Sequence, residues 1–160
     1  FFISAAVLTK SGVAVLMNSL IEARERHTGG KILVSEYLGF TQPEALRALK
    51  QFENIELRVA TKGNMHGKAY LFLRERHNSI IIGSSNLTAN ALKSNNEINL
   101  KVSATRNSAI YDQVSEHLRE YFSNAVTADD SYIDSYALRY EKTLAAYRKN
   151  LEDIQSGLEQ

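Results

Sequence analysis

Short apolar runs alternate with segments of helical periodicity along most of the chain. Six of the runs have the length of strands and are bounded by polar or turn-forming residues: 2–8, 31–35, 55–60, 68–74, 79–83 and 97–102. Helical segments lie between or after them, at 13–27, around Leu46 and Leu49, at 87–92 and at 110–122. Strands that alternate with helices predict an α/β fold in which helices cover a sheet.

Three local signals predict where these elements begin and end. Gly29 and Gly30 follow the first helical segment, and glycine readily adopts the left-handed conformation that commonly ends a helix. Thr41 and Glu44 have the spacing of a capping box, in which both side chains bind free amides at the start of a helix. The charged stretch 74–78 predicts a hairpin-like turn between two neighbouring strands.

From residue 133 onwards, apolar residues recur every seven positions. One series is Ile133, Tyr140, Tyr147 and Ile154, and the other is Ala137, Leu144, Leu151 and Leu158. Such a repeat predicts a long helix that packs against another helix. Packing on its own or on a neighbouring domain is the first interpretation, and a dimer contact is the alternative.

The composition is that of an ordinary globular domain of 160 residues, with 44% hydrophobic and 23% charged residues. The 19 Lys and Arg nearly balance the 18 Asp and Glu, so any phosphate-binding surface must be a local concentration of charge. The absence of cysteine excludes disulfides and thiolate catalysis, and it favours a cytoplasmic protein. No apolar run approaches the roughly 20 residues that span a bilayer, so no membrane partner is expected. Because the chain starts without Met, we expect it to be a piece of a larger protein.

Two pairs of polar residues and one acid follow one another at the ends of predicted strands. His66 and Lys68 are two residues apart where one strand begins, so their side chains are expected on the same face of the sheet. Ser84 and Asn86 are again two residues apart, directly after another strand. Glu97 comes where the next strand is expected to begin.

These five residues can act together on a phosphate. The imidazole of His66 can be a nucleophile or a proton donor near neutral pH, and the ammonium of Lys68 would neutralise charge on the phosphate oxygens. Ser84 and Asn86 offer neutral donors, and the amides at the start of the helix that follows them favour anions. Glu97 can accept a ring N–H of a histidine and so fix its orientation.

The arrangement resembles the phospholipase D superfamily, whose pattern is His-x-Lys followed by Gly-Ser and a further Asn. Here it reads HGKAYLF from His66 and GSSN from Gly83, and the acid of nuclease members corresponds to Glu97 in NNEINL. The stretch is similar to single-motif, nuclease-type domains fused to DEAD/DEAH-type helicases and found in some restriction endonucleases. The resemblance covers residues 1–125 and implies a mixed sheet with helices on both faces. Residues 126–160 lie outside it, as a helical extension or a linker toward a further domain.

The resemblance also implies a mechanism that uses no metal or other cofactor. His66 attacks phosphorus, a second histidine protonates the leaving oxygen, and water then releases the product from the phosphohistidine. A full site uses two such motifs, but His27, His77 and His117 have no lysine two residues on. The second His66 is therefore expected from another copy of the chain, in a homodimer. The implied substrate is nucleic acid, either DNA or RNA, with DNA favoured.

One departure from the family pattern leaves an alternative open. Leu73 stands where the family usually has an aspartate, which is regarded as structural rather than catalytic. The chain is therefore either an active nuclease or a degenerate module that binds nucleic-acid phosphates without cleaving them. A phospholipid-processing enzyme is a third class, disfavoured by the short chain and the single motif. His77 is interpreted as a solvated turn residue, with contact to a phosphate backbone as the alternative, and His117 is interpreted as a structural residue at a helix border.

Overall fold

The computed structural model describes residues 1–74, 77–105 and 107–158. Within these ranges one sheet is formed by seven strands: β1 Phe2–Ser4, β2 Gly30–Ser35, β3 Ile55–Ala60, β4 Lys68–Phe72, β5 Asn78–Gly83, β6 Asn99–Ala104 and β7 Val126–Thr127. Their order across the sheet is β6-β5-β4-β1-β2-β3-β7. Strands β1, β2 and β3 are parallel, whereas β4, β5, β6 and β7 are antiparallel to their neighbours. The sheet is therefore mixed, as predicted.

Helices cover both faces of this sheet, which confirms the predicted fold class. The helical elements are α1 Lys10–Glu25, a short 3-10 helix Tyr37–Gly39, α2 Pro43–Lys50, α3 Ala89–Lys93, α4 Ala109–Ser123 and α5 Asp130–Leu158. One face of the sheet, here called the α1 face, carries Ile3, Ile32 and Tyr70 and packs against α1, α2 and α5. The opposite face, here called the α4 face, carries Phe2 and Leu71 and packs against α4.

Strand β1 is shorter than the apolar run that predicted it, and strand β6 begins and ends two residues later than predicted. Strand β1 ends at Ser4, because the chain then enters a loop in which Leu8 forms an isolated bridge with Leu87. The rest of the run is apolar because this loop is buried, not because it continues the strand. Strand β6 begins at Asn99, so Glu97 lies in the loop before it rather than on the strand.

The prediction of a capping box at Thr41 and Glu44 is wrong. Helix α2 begins at Pro43 after Gln42, and no side chain caps it. The fully buried Thr41 hydroxyl instead accepts a hydrogen bond from the Leu8 amide at 3.3 Å. Because this amide is buried in the loop after β1, it needs a partner that no strand neighbour supplies. The predicted turn at 74–78 does join two antiparallel neighbours, but residues 75–76 lie outside the described residues.

Helix α5 packs on the domain mainly through its first half. Ile133, Tyr136 and Tyr140 are buried in the core of the α1 face. Further along, Tyr147 is 53% exposed and Leu151 is 43% exposed. The division of the chain after residue 125 stays a prediction. Among the described residues, no helix is long and apolar enough to span a membrane.

Candidate active site

The predicted site residues lie at one end of the sheet. Strand β4 begins at this end, β5 ends there and β6 begins there, because the three strands are antiparallel neighbours. Their register places Lys68 beside Gly83 and Gly83 beside Asn99. His66 lies just before the first of these strands, and Glu97 just before the third. Strand order thus brings together residues that are about 30 positions apart in the sequence.

Lys68 supplies a buried positive charge next to His66. Lys68 is only 5% exposed, and its Nζ lies 3.1 Å from both Nδ1 and Nε2 of the exposed His66. Burial lowers the pKa of Lys68 below its ordinary value of 10.5, while the Glu97 carboxylate acts in the opposite direction. An ammonium that is shielded from water attracts an anion more strongly. The pair therefore combines an accessible imidazole with a fixed cation.

Ser84 and Glu97 connect the end of β5 to the loop before β6. The Ser84 hydroxyl donates a hydrogen bond to the Glu97 carboxylate and accepts one from the Ile98 amide at 3.0 Å. The strands approach closely here because position 83 is glycine. A Cβ on Gly83 would meet the Ile98 carbonyl oxygen and Asn99 Oδ1 inside contact distance. The carboxylate is thus held at the site end of the sheet.

Asn86 ties the loop after β5 to the loop after β1. Its Oδ1 accepts a hydrogen bond from the Val7 amide at 3.0 Å. Next to it, the Leu87 amide donates to the Val7 carbonyl at 3.1 Å, and the Thr9 amide donates to the Leu87 carbonyl at 3.1 Å. Because Oδ1 faces the backbone, the Nδ2 group is the end of the Asn86 amide that can donate to a ligand.

A second row of polar residues lies behind the predicted site on the α1 face. The Tyr70 hydroxyl donates to the Ser85 carbonyl at 2.7 Å, and Asn99 Nδ2 donates to Ser85 Oγ at 2.8 Å. Burial, and secondly the charge of Glu97, raise the pKa of Tyr70 to about 12. Sequence reasoning missed these residues, although Tyr70 lies two positions after Lys68 and so shares its face of the strand.

The family of the chain follows from a comparison with known protein families. A family model described as "Cardiolipin synthase, PLD-like domain" matches residues 3–126. The chain belongs to this PLD-like family. The match includes all five residues that the sequence assigned to the site.

A solved structure supports the same fold for this PLD-like domain. It is the crystal structure of phosphatidylserine synthase from Haemophilus influenzae Rd KW20, with a TM-score of 0.55 and 13% sequence identity. The similarity covers 94% of this chain and 40% of that chain, so the PLD-like domain spans less than half of the synthase. At this identity the likeness shows the fold alone. A search of curated proteins found no match.

The position that departs from the family pattern lies away from the site. Leu73 follows the last residue of β4, five positions from Lys68 at the other end of the strand. At about 3.3 Å per residue, the two positions are roughly 16 Å apart. Leu73 is 51% exposed. Its presence in this PLD-like domain therefore takes no group away from the Lys68 end of the sheet.

The helix after the GSSN stretch starts later than the sequence predicted. Helix α3 begins at Ala89, and the Thr88 hydroxyl caps it by accepting from the Ala91 amide at 3.1 Å. The amides of residues 84–88 therefore belong to the loop before α3, and the helix begins two residues later than the predicted segment 87–92. Ser84 N donates to the Ile98 carbonyl at 3.0 Å instead.

The structure links four of the five predicted residues and places the fifth in the adjoining loop. His66 contacts Lys68, whose charge interacts with Glu97, which in turn accepts from Ser84. Asn86 holds the neighbouring loop. Their catalytic roles stay predictions. Within the described ranges, no group of three His, Asp or Glu side chains is placed to hold a metal ion.

Two cavities adjoin this end of the PLD-like domain, one on each face of the sheet. The cavity on the α4 face has a volume of about 550 Å³ and is bounded by the His66–Lys68 segment and by His117 and Tyr121 of α4. The cavity on the α1 face has a volume of about 700 Å³ and extends from Ser85 along Tyr70 towards α1. His117 was interpreted from the sequence as a structural residue, yet it is exposed and lines the first cavity.

Proposed function

We propose that the chain is a metal-independent phosphodiesterase, and a nuclease in particular, with His66 as the nucleophile. One observation carries this proposal: the buried ammonium of Lys68 lies 3.1 Å from the ring nitrogens of the exposed His66. The site thus holds its own cation next to its own nucleophile, as transfer of a negatively charged phosphoryl group needs. The cysteine-free composition supports a cytoplasmic setting.

The reaction proceeds in two displacements at phosphorus. A ring nitrogen of His66 forms a P–N bond while the P–O bond to the leaving group breaks, and a second histidine gives its proton to the leaving oxygen. Water then forms a new P–O bond and passes a proton to that second histidine, while the P–N bond breaks. Lys68 and the Nδ2 group of Asn86 stabilise charge on the non-bridging oxygens, and Glu97 favours the protonated form of Lys68.

The second histidine comes from a second copy of the chain, since only His66 is followed by lysine two positions on. An exposed apolar patch adjoins the site and supports this arrangement. It consists of Ile82 at 44% exposure, Ile98 at 85% and Leu100 at 66%, on and next to the edge strand β6. Large exposed apolar side chains next to a half-site are typical of a contact surface. We propose that the two copies meet here, with the twofold axis bringing the His66 rings together.

A phospholipid-processing enzyme is the second candidate function. The family description names cardiolipin synthase, and the similar solved structure is a phosphatidylserine synthase. The cavity of about 700 Å³ on the α1 face favours this candidate, since it is lined mainly by apolar side chains such as Leu20, Phe72 and Leu92. The exposed imidazole and the resemblance to helicase-fused nuclease domains favour the nuclease, either active or binding without cleavage.

The deciding experiment offers nucleic acid and lipid to the same preparation. The full chain is incubated with single- and double-stranded oligonucleotides, and separately with phosphatidylcholine vesicles, in the presence of a chelator. We expect cleavage of oligonucleotides, reduced about 1000-fold or more in His66→Ala and unchanged in His77→Ala, a matched exposed histidine. Activity lost on chelation contradicts the metal-independent mechanism. Hydrolysis of lipid alone favours the second candidate, and retained oligonucleotide binding without cleavage favours the degenerate module.

A further inference from the structure

The cavity of about 550 Å³ on the α4 face shares a wall with the nucleophile motif. This wall is formed by residues 64–69, which include His66 and Lys68. The opposite wall is helix α4, from which Gln113, His117 and Tyr121 line the cavity. These three residues are spaced four apart and therefore follow one stripe of the helix. The cavity is directly adjacent to the place where a phosphate would be attacked.

The two aromatic residues of this stripe are not core residues. Tyr121 is 44% exposed, and its ring lies edge-on to the His117 ring with 4.7 Å between the centroids. The neighbouring Phe122, by contrast, is 4% exposed and packs against Phe2. Both residues belong to the predicted helical segment 110–122, but only Phe122 packs in the core. A tyrosine and a histidine are left facing the motif.

The chemistry of the lining suits a planar, neutral and polar group. Ile82, Val114 and Leu118 supply an apolar surface, while Asn64 and Gln113 supply amide donors and acceptors. Lys68 is the charged lining residue among those described, and no carboxylate is present. An alkyl chain is poorly suited to this cavity, because polar amide groups and aromatic rings interrupt its apolar surface. They match a heteroaromatic ring, which stacks on aromatic side chains and offers hydrogen-bonding edges.

We propose that this cavity receives an unpaired nucleobase next to the scissile phosphate, with Tyr121 and His117 as its aromatic wall. This inference rests on the proposed function and names its substrate as a strand whose base is free to leave the stack. A base within a duplex would first have to be unpaired and flipped out of the stack, so single-stranded or frayed substrates are preferred.

Binding of defined oligonucleotides tests the subsite independently of turnover. Fluorescence anisotropy is measured with single-stranded oligonucleotides that carry one abasic position, moved stepwise along the strand. We expect Tyr121→Ala to weaken binding of the intact strand about 10- to 100-fold, and Tyr121→Phe to keep most of it. When the missing base is the one that occupies the cavity, binding to the wild type should weaken by a similar factor. Loss of the same base should not weaken binding to Tyr121→Ala any further. Tyr147→Ala, at a tyrosine of α5 that is exposed to a similar extent, should leave binding unchanged.

The possible outcomes separate the subsite from the proposed function. Equal affinity of Tyr121→Ala and wild type for every strand overturns the subsite, even if His66-dependent cleavage is present. If binding depends on the abasic position as expected but no oligonucleotide is cleaved, the result supports the subsite and contradicts the proposed catalytic function. No binding of oligonucleotides, with vesicle hydrolysis that depends on Tyr121, overturns the subsite in favour of a lipid chain. Thermal unfolding of each variant verifies that it is folded.

Discussion

The hydroxyl of Ser84 donates a hydrogen bond to the Glu97 carboxylate across the gap between the end of β5 and the loop before β6. This bond holds a negative charge that favours the protonated form of Lys68. Lys68 in turn contacts the ring of His66. The nucleophile is thereby connected, through one cation and one carboxylate, to Ser84, which lies 18 positions later in the sequence.

Replacing Lys68 should lower the rate of turnover without lowering the stability of the folded protein. In Lys68→Met we expect turnover to fall by about 100-fold or more, because no cation then offsets charge on the phosphate oxygens. The free energy of unfolding should be unchanged or higher by on the order of 1 kcal/mol, since a buried charge is replaced by an apolar chain of similar length. Kinetics and denaturant unfolding measure the two effects. Lys101→Met, on exposed β6, is the control and should alter neither.

The lowered pKa of Lys68 also predicts how this stability difference depends on pH. The unfolded chain binds the Lys68 proton up to about its ordinary pKa of 10.5, whereas the folded protein releases it at a lower pH. Between these two values the unfolded state holds more protons, so the Lys68 contribution to stability rises with pH. The advantage of Lys68→Met should therefore shrink as the pH approaches 10.5. A difference that is constant across this window contradicts the assignment.

Removing the charge of Glu97 should change both the rate and its pH dependence. In Glu97→Gln we expect at least a roughly 10-fold loss of kcat, because the lysine and the Ser84 hydroxyl lose a fixed partner. The carboxylate raises the pKa of Lys68, so its loss should move the alkaline limb of the pH–rate profile to lower pH. Glu25→Gln, an exposed acid at the end of α1, serves as the control. An unchanged alkaline limb argues against electrostatic coupling of the two residues.

The proposed dimer can be tested at the edge of the sheet. Ile98→Asp should produce a monomer in analytical ultracentrifugation and abolish turnover, because one copy supplies only one His66. The monomer should still fold, since Ile98 is 85% exposed on the single chain. Ile154→Asp places the same charge on the exposed part of α5. If only Ile154→Asp yields a monomer, the copies meet through α5 instead.

Gly12 at the start of α1 is predicted to be essential for the loop that carries Asn86. A Cβ at this position would meet the Leu87 backbone inside contact distance. In Gly12→Ala we expect the free energy of unfolding to fall by about 1–3 kcal/mol, with a loss of activity, because the loop must move. Gly29→Ala should be close to neutral, since nothing lies within 4 Å of its Cβ position. Equal stability of both variants contradicts the prediction.

Local patterns predicted the strands and helices because the backbone geometry of each fixes the spacing of side chains on one face. The alternation of strands and helices follows from spacings of two and about 3.6 residues, and it gave the α/β class. Thr41 shows where this reasoning failed. Its spacing from Glu44 is that of a capping box, yet its hydroxyl binds the Leu8 amide, 33 positions away. The buried Leu8 amide needs a hydrogen-bond partner, and the Thr41 hydroxyl serves this amide instead of capping the helix.

The sequence alone determined the residue types of the site and predicted that His66 and Lys68 come together, since their spacing is local. Tertiary structure decided which of these residues meet. The antiparallel order of β4, β5 and β6 placed Glu97 near Lys68, and the packing of α4 turned Tyr121 towards the motif while Phe122 entered the core. Such contacts join distant segments, so they follow from sheet order and helix packing, which no local spacing encodes.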